Sequence, residues 1–317
     1  MKRILITGGS GFIGSTLARQ LLEFRKENNL DFEIRAIDIL RPQIPEVECR
    51  QGSILDISDL SEAARGCDAV VHLAAILGVR NSETRRLDCL NINIVGTVNV
   101  LNACVQDRVK KFIFASSSEV YGDQRVFPIK ETNPLNPKSV YAVSKLAGEE
   151  YVRATCGRYA MDYSILRFFN VYGPGQVGQF VVPRFIMAVQ NDKSPEVYGS
   201  GDRKRSFCYA EDVTKGILKA LFSDKANGET FNIGNDSEMI SILDLANKII
   251  QISGKSHIKP VMVAQGASDR TEAREIFERS PDISKARSML GYEPSCSLEN
   301  GLRMMYEHGA IVPNWSR

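Results

Sequence analysis

The 317-residue sequence has few histidines and no closely spaced pair of cysteines. It has only three histidines, His72, His257 and His308, which are too few and too scattered for a histidine-based metal centre. Its seven cysteines include no C-x-x-C pair, which favours reduced, mostly buried thiols over a disulfide framework or a metal site. We therefore expect no metal.

Long hydrophobic runs and a strong net charge are also missing. No apolar run approaches the roughly 20 residues that a membrane helix needs, and the first residues enter a strand without a signal-peptide core. The formal net charge is +2 and the basic residues are scattered, so there is no long-range field to attract nucleic acid. We predict a cytoplasmic protein that binds neither membrane nor nucleic acid.

A glycine-rich turn lies close to the first residue. Residues 7–14 read TGGSGFIG, after a short apolar run and before a helical pattern, which predicts strand, tight turn and helix. Gly8 permits the turn, Gly11 lets backbone N–H groups approach a pyrophosphate, and Gly14 lets the helix pack closely on the strand. The helix N-terminus then carries the charge of the phosphate.

An acidic residue at the end of the second apolar run supports a dinucleotide. Asp38 lies 24 positions beyond Gly14, near the spacing of roughly 20 at which the dinucleotide fingerprint places a ribose-binding acid. This carboxylate would bind both ribose hydroxyls and repel a 2′-phosphate, so we expect NAD rather than NADP. Arg41 weakens the preference, because its guanidinium is able to pair with such a phosphate.

Apolar runs and helical patterns alternate through the first half of the chain. Strands are predicted at residues 69–75, 111–115 and 163–167, and a helix over residues 90–101. The alternation predicts an α/β fold of Rossmann type. Its doubly wound parallel sheet would bind ligands beyond the carboxyl ends of the strands.

The second half has more turns, more proline and shorter elements, and predicts a smaller mixed α/β substrate-binding domain. A strand end at residues 231–234 indicates that the chain returns once to the first domain. We predict an NAD-binding domain over residues 1–170, with a return segment at about 206–236. The second domain is expected over about 171–205 and 237–317.

A tyrosine and a lysine four positions apart are the first candidates for catalysis. Tyr141 and Lys145 share one face of a helix, and the strand ending at Ala115 delivers Ser117 to the surface where a nicotinamide would lie. We expect Lys145 to lower the pKa of Tyr141 and to hold the nicotinamide ribose. Ionised Tyr141 would take a proton from a substrate hydroxyl, oriented by Ser117, while hydride leaves the same carbon.

Together these motifs resemble the extended short-chain dehydrogenases/reductases of the NAD-dependent epimerase/dehydratase family, which act on nucleotide-activated sugars. The resemblance covers nearly the whole chain. The matching motifs, besides the glycine turn and Y-x-x-x-K, are His72-Leu73-Ala74-Ala75, Asn93-x-x-Gly96-Thr97, Arg167-Phe168-Phe169-Asn170-Val171-Tyr172-Gly173-Pro174, Arg205-Ser206-Phe207-x-Tyr209-x-x-Asp212 and Arg279-Ser280-Pro281-Asp282-x-Ser284-Lys285-Ala286.

The resemblance implies an NAD-dependent enzyme whose second domain binds a nucleotide-diphosphate sugar. Its cofactor-binding residues would be Gly8, Gly11, Phe12, Ile13, Gly14, Asp38, Ser53, Ile54, Leu73, Ala74, Ala75, Asn93, Tyr141 and Lys145. Its substrate-binding residues would be Ser117, Asn170, Arg205 and Arg279, with Asn170 on the phosphates and the two arginines on the diphosphate and nucleoside. Ser53 stands where relatives commonly carry an adenine-binding aspartate, so a hydroxyl or backbone contact is expected there.

The residues after Ser117 leave the reaction open. Relatives first oxidise the sugar, usually at C4, which acidifies the C5 proton. Glu119 resembles the carboxylate that removes this proton in 4,6-dehydratases, with Ser118 where some of them use an acidic residue, and this favours a dehydratase. Residues 117–122 also resemble those of UDP-glucuronate decarboxylases, but residues 141–145 resemble dehydratases and epimerases rather than those decarboxylases. Residues 73–82 resemble hexose and uronate 4-epimerases. A structural Glu119 and a non-catalytic NAD(P)-sensing scaffold are the remaining alternatives.

The resemblance also implies a homodimer. Family members usually pair through two long helices, here the one containing residues 93–105 and the one after Tyr141. The first helix and the residues just before it carry more apolar side chains than one buried face of a lone helix needs, which is consistent with an interface. These residues are Ile92, Ile94, Val98 and Leu101.

Overall fold

A seven-stranded sheet, parallel throughout, forms the centre of the fold. The computed structural model describes residues 1–264 and 276–308, so two parts of the predicted second domain, 265–275 and 309–317, lie outside the described residues. The strands in chain order are β1 (Arg3–Thr7), β2 (Glu33–Asp38), β3 (Glu48–Gln51), β4 (Ala69–His72), β5 (Lys111–Ser117), β6 (Asp162–Phe168), β7 (Val171–Tyr172), β8 (Glu196–Tyr198), β9 (Lys204–Ser206), β10 (Cys208–Tyr209), β11 (Glu229–Ile233), β12 (Met239–Ser241), β13 (Val261–Val263) and β14 (Glu278–Arg279). The central sheet has the order β3-β2-β1-β4-β5-β6-β11.

Helices cover both faces of this sheet. They are α1 (Phe12–Glu27), α2 (Ile57–Ala64), α3 (Val79–Thr84), α4 (Arg86–Leu90), α5 (Gly96–Gln106), α6 (Val140–Tyr159), α7 (Val181–Gln190), α8 (Ala210–Leu221), α9 (Ile242–Ser253), α10 (Ser284–Leu290) and α11 (Leu298–His308). A π-helical turn over Asn91–Val95 joins α4 to α5, and a 3₁₀ turn over Ser118–Tyr121 follows β5. This architecture confirms the predicted α/β Rossmann fold.

Strand β1 shows why the sheet carries helices on both sides. Ile4 and Ile6 pack in the core that contains α1 and α8, whereas Leu5 packs in the core that contains α2, α5 and α6. Successive residues of a strand point to opposite faces, and all three side chains are fully buried. A parallel strand buried on both faces requires an uninterrupted apolar run, which is the pattern that predicted it.

The chain returns to the central sheet after leaving it. β11 pairs with β6, and α8 packs against α1 on one face. Helix α7 lies between β6 and α8 in the chain, and α9 and α11 follow β11. These three helices form a separate hydrophobic core around Phe185, Leu245 and Leu302. The division into two domains stays a prediction.

One continuous helix, Arg86–Gln106, is long and apolar enough to cross a membrane when judged by length and composition alone. The core helix of a globular fold meets the same test. Here Val100, Leu101 and Cys104 are buried against the sheet, and the helix packs on α2 and α6. The packing identifies it as an element of the α/β core.

Candidate active site

The carboxyl ends of the central strands open into a cavity of about 630 Å³. It lies where the strand order reverses between β1 and β4, the place where sheets of this kind bind ligands. Every predicted site residue except Asn93 lines its wall. The residues chosen from scattered motifs are therefore brought together.

The glycine turn leaves no room for side chains. Gly8 has a φ of +76°, and a Cβ there would lie 2.8 Å from the backbone N of Ala74. A Cβ on Gly14 would lie 2.1 Å from the carbonyl oxygen of Gly8. Helix α1 begins at Phe12, and its N-cap Gly11 supplies no side-chain cap. Backbone N–H groups and the helix dipole therefore face the cavity, which fits a pyrophosphate.

Asp38 is held at the edge of the cavity by backbone N–H groups. Its carboxylate accepts from Ser10 N and from Leu40 N, each at 3.1 Å. Burial raises the pKa of Asp38, and these hydrogen bonds oppose the increase. Arg41 is exposed and lines a separate surface depression of about 280 Å³ with Glu62. The cavity thus presents a carboxylate at this end, which fits NAD.

Ser53 and Ile54 also line the cavity. The backbone N–H of Ser53 donates to Asp59 at 2.9 Å, and the Ser53 hydroxyl accepts from Leu55 N at 3.1 Å. The backbone therefore fixes the orientation of this hydroxyl at the cavity wall, where relatives commonly have an aspartate.

Asn93 lies behind the wall of the cavity rather than on it. Its side chain accepts from Ile76 N at 2.8 Å, donates to Ile76 O at 3.1 Å and donates to Ser144 Oγ at 2.9 Å. These bonds tie the loop after β4 to helix α6. Asn93 sits in the π-helical turn, an irregularity often found at functional sites. Through these contacts Asn93 positions Ile76, which lines the cavity, and does not itself line the cavity.

The structure brings Tyr141, Lys145 and Ser117 together on the cavity wall, where burial is the largest influence on the pKa values of Tyr141 and Lys145. Burial raises the pKa of Tyr141 well above its usual range, while a hydrogen bond with Ser117 and the charge of Arg279 oppose the increase. Lys145 donates to the carbonyl of Ala115 at 2.9 Å, and burial lowers its pKa to about 8. The Lys145 ammonium lies 5.9 Å from the centroid of the Tyr141 ring, and its expected lowering of the Tyr141 pKa stays a prediction, while burial dominates the net shift.

Glu119 and Arg279 form a buried ion pair. Arg279 Nη2 lies 2.6 Å from Glu119 Oε1, and both side chains are less than 10% exposed. Glu119 belongs to the 3₁₀ turn, whose N-cap Ser117 accepts from the Glu119 N–H at 3.2 Å. Ser118, buried at the start of this turn, also lines the cavity. The family resemblance implies separate roles for Glu119 and Arg279, with Glu119 acting on the C5 proton and Arg279 binding the diphosphate and nucleoside, whereas the structure pairs them.

Arg205 and Asn170 line the cavity but also hold the backbone. Arg205 donates to the carbonyls of Lys204 and Phe277, each at 2.8 Å, and to that of Ile276. Asn170 donates to Ser206 O at 2.8 Å. Strand β14 pairs with β9 and places Arg279 opposite Arg205. Arg205 thus organises the segment that carries Arg279.

Two further arginines of the cavity wall were not named individually as site residues. Arg184 lies in α7, with its guanidinium 4.7 Å from the ring centroid of Tyr198, and Arg203 lies just before β9. Tyr198 lines the cavity as well. The only sequence signal for Arg203 was its position two residues before the predicted Arg205.

The family model described as the NAD dependent epimerase/dehydratase family matches residues 4–234. The chain belongs to this family. It is 36% identical over 321 residues to a UDP-N-acetyl-alpha-D-glucosaminuronate decarboxylase of Bacillus cytotoxicus, covering 95% of this chain and 96% of the relative. It is 33% identical over 319 residues to the dTDP-D-glucose 4,6-dehydratase of Mus musculus, covering 96% of this chain and 88% of the relative.

A solved structure supports the same assignment. The UDP-glucuronic acid 4-epimerase of Bacillus cereus, in complex with UDP-glucuronic acid and NAD, matches with a TM-score of 0.87 and 33% identity, over 96% of this chain and 98% of that chain. Membership confirms that the protein is an enzyme and that its cofactor is NAD. Relatives of three reaction types match at similar identity, so the choice among the reactions rests on the site.

Proposed function

We propose that the protein decarboxylates a UDP-linked hexuronic acid through a 4-keto intermediate. The observation that carries this proposal is the buried Glu119–Arg279 pair on the cavity wall, close enough for both charges to act on Tyr141. The likeness to a decarboxylase and to an epimerase that are both named for UDP-linked uronic acids supports the choice of substrate.

The cofactor would bind along the sheet edge. The first turn of α1 would hold the pyrophosphate, Asp38 the adenosine ribose and Lys145 the nicotinamide ribose. Bound NAD supplies the acceptor for the hydride that leaves C4 of the sugar.

Tyr141 would take the proton from the C4 hydroxyl, and the neighbouring Ser117 hydroxyl on the same cavity wall would orient it. A buried phenol gives up its proton only with help from positive charge. Arg279 already lowers the pKa of Tyr141 against the effect of burial, and the charge of an oxidised nicotinamide would act in the same direction.

The pairing of Glu119 bears on the step after the oxidation. A guanidinium at 2.6 Å stabilises the carboxylate and makes it a weaker base, which disfavours removal of the C5 proton. The planar guanidinium is also suited to a second carboxylate, such as one at C6 of the sugar. Glu119 partly neutralises the charge of Arg279. Arg279 would therefore position a C6 carboxylate without binding it tightly.

A 4-keto hexuronic acid is a β-keto acid. When its C5–C6 bond breaks, CO2 leaves and the electron pair moves into an enolate on the C4 oxygen. Ser117 and protonated Tyr141 would stabilise this oxygen by donating hydrogen bonds. A solvent proton is added at C5. Tyr141 would then return its proton to the C4 oxygen as the hydride that left C4 comes back to the same carbon. An epimerase must instead retain the carboxylate, for which a cation not shared with Glu119 is the better partner.

A 4,6-dehydratase is the second candidate. The carboxylate of Glu119 lies near Tyr141, as proton removal at C5 would require, and Ser118 lines the same wall. The likeness to dTDP-D-glucose 4,6-dehydratases supports it. In this case Arg279 would have to release Glu119 when the sugar binds.

One experiment separates these reactions. Purified protein is incubated with NAD and, in separate reactions, UDP-glucuronic acid, UDP-N-acetylglucosaminuronic acid, UDP-glucose and dTDP-glucose, and products are analysed by mass spectrometry and NMR. Loss of CO2 from a uronic acid supports the proposal. Loss of water from a hexose identifies a dehydratase, whereas unchanged mass with inverted C4 identifies an epimerase. Tyr141→Phe serves as the inactive control.

We also propose that the enzyme is a cytoplasmic homodimer paired through the helices predicted for this role. Large apolar side chains are exposed there, and they are Leu87, Leu90, Val95, Val143 and Tyr151. Of the residues first expected at this interface, Leu101 is buried in the core and Ile92 lines the cavity. Light scattering at micromolar concentration should give the mass of two chains, and Val143→Glu should shift it toward one.

A further inference from the structure

Two separate links join the segment that carries Glu119 to the segment that carries Arg279. The first link is the ion pair itself. The second lies four residues beyond Glu119, where Asp123 Oδ1 accepts from the backbone N–H of Phe277 at 3.2 Å. Phe277 is two residues before Arg279. The two links together close a ring of chain at one side of the cavity.

The peptide group between Ile276 and Phe277 is held on both of its edges. Asp123 binds the N–H edge, and Arg205 donates to the carbonyl of Ile276 on the opposite edge. Arg205 also donates to the carbonyl of Phe277 at 2.8 Å, and its charge acts on Asp123. A peptide fixed in this way sets the direction in which the chain enters β14, and therefore the position of Arg279.

Asp123 itself has a fixed position. Lys138, just before α6, forms an ion pair with its other carboxylate oxygen. Gly122 precedes it with a φ of +60°, and a Cβ there would lie 1.9 Å from the carbonyl oxygen of Asn136. The turn between Glu119 and Asp123 therefore has little freedom. Asp123 is not among the described residues that line the cavity, so it is placed to act only through others.

We propose that Asp123 is a positioning residue, which seats Arg279 against Glu119 by holding the Ile276–Phe277 peptide. The inference depends on the proposed function only in assuming that the Glu119–Arg279 pair acts on the oxidised sugar. Asp123 would affect the step after oxidation and leave the oxidation by Tyr141 unchanged, because Tyr141 is held separately on α6.

Three variants test the link. Asp123→Ala removes the acceptor, and Asp123→Asn keeps an oxygen acceptor without the charge. Lys138→Met removes the ion pair, while the turn at Gly122 still holds the backbone of Asp123. Hydrogen exchange of peptides covering residues 276–279 is measured in the full chain. Asp123→Ala should raise exchange at Phe277 about three- to tenfold, while the other two variants stay near wild type. Unchanged exchange in Asp123→Ala would overturn the inference.

The kinetic test compares two steps in a single turnover with NAD and the uronic acid that the substrate panel identifies. Asp123→Ala should slow product formation about three- to tenfold, while the reduction of NAD, measured by the absorbance of the reduced nicotinamide, stays within about twofold of wild type. Asp123→Asn should restore most of the rate. An equal loss in both steps, or the same loss in Lys138→Met, would show a merely structural role. Because the exchange test needs no substrate, failure of the panel alone overturns the proposed reaction and leaves this inference to be judged separately.

Discussion

Glu149–Arg167 and Glu119–Arg279 are both buried carboxylate–guanidinium pairs, but they differ in what surrounds them. Arg167 binds Glu149 through two parallel contacts of 2.9 and 2.7 Å, and Ser116 donates to the same carboxylate at 2.6 Å. We call this the closed pair, because neither member is among the described residues that line the cavity. Glu119–Arg279 lines the cavity, and we call it the open pair.

The difference indicates separate roles for the same chemistry. The closed pair joins α6 to β6, and Tyr121 and Glu131 add further hydrogen bonds to Arg167. Such a network holds the sheet and helix in one arrangement. The open pair joins segments that a bound sugar can reach, so a ligand is able to alter it. We therefore expect changes in the closed pair to affect stability and changes near the open pair to affect catalysis.

The largest effect on the reaction rate should come from Tyr141→Phe, which removes the phenolic oxygen near the open pair. Tyr141→Phe should slow oxidation at C4 by about 10²–10⁴, because the general base is lost while the ring remains. Tyr121→Phe, its matched control, removes a hydroxyl that accepts from Arg167 and donates to Asn232 at 2.7 Å. It should keep its turnover and lose about 1–3 kcal/mol of stability. Turnover and urea unfolding measure both, and a Tyr141→Phe rate near wild type would refute the role of Tyr141.

Neutralising each glutamate tests the comparison directly. Glu149→Gln should lower the free energy of unfolding by about 3–5 kcal/mol, since it leaves the fully enclosed Arg167 without its counter-charge. Glu119→Gln should cost less, because water in the cavity is able to solvate Arg279, but it should slow turnover after oxidation, since an Arg279 that is no longer neutralised would hold the C6 carboxylate more tightly. Denaturant titration and product analysis check these results. Equal losses of stability in the two variants would show that the open pair is structural.

Acid should weaken the closed pair. Burial alone would raise the pKa of Glu149, but the hydrogen bonds and charge of Arg167 hold it below its usual value of 4.5. Since the folded-state pKa is below the unfolded one, this stabilisation is complete above about pH 4.5 and is lost as the pH falls through the folded-state value. The free energy of unfolding should therefore fall with acid more steeply in wild type than in Glu149→Gln.

The smallest expected effect links the two regions through Lys145. Burial lowers its pKa to about 8, and the charge of Glu149 partly offsets the decrease. The ammonium is thus lost as the pH rises through about 8, and kcat/KM should fall there. In Glu149→Gln this alkaline fall should begin at lower pH. A profile with the same alkaline limb in both proteins would show that Glu149 has no effect on Lys145.

Local sequence patterns were sufficient to select the residues predicted to bind NAD that line the cavity. The glycine turn, Asp38 and the Y-x-x-x-K motif depend on short-range spacing, and the apolar runs of β1, β2, β4, β5 and β6 were visible because these strands are buried on both faces. β3 was missed because it is a short polar strand at the sheet edge.

The open pair could not be predicted, because it depends on a contact between residues 160 positions apart in sequence. Arg279 lies in a two-residue strand, and its direction is set by Arg205 and Asp123 rather than by a local pattern. The dominant effect of burial on the pKa of Tyr141 was not predicted, for a similar reason. Adjacency to Lys145 is visible in the sequence, whereas the degree of desolvation is not.

The late arrival of β11 in the central sheet has a consequence for synthesis on the ribosome. β6 pairs with β11 through Ser164 and Glu229, so more than sixty residues must be translated before the last strand can dock. Until then β6 has an unpaired backbone edge, and Tyr121 lacks the Asn232 acceptor. A nascent chain that stalls after β6 should be prone to aggregate, and splitting the gene there should not yield an autonomous nucleotide-binding fragment.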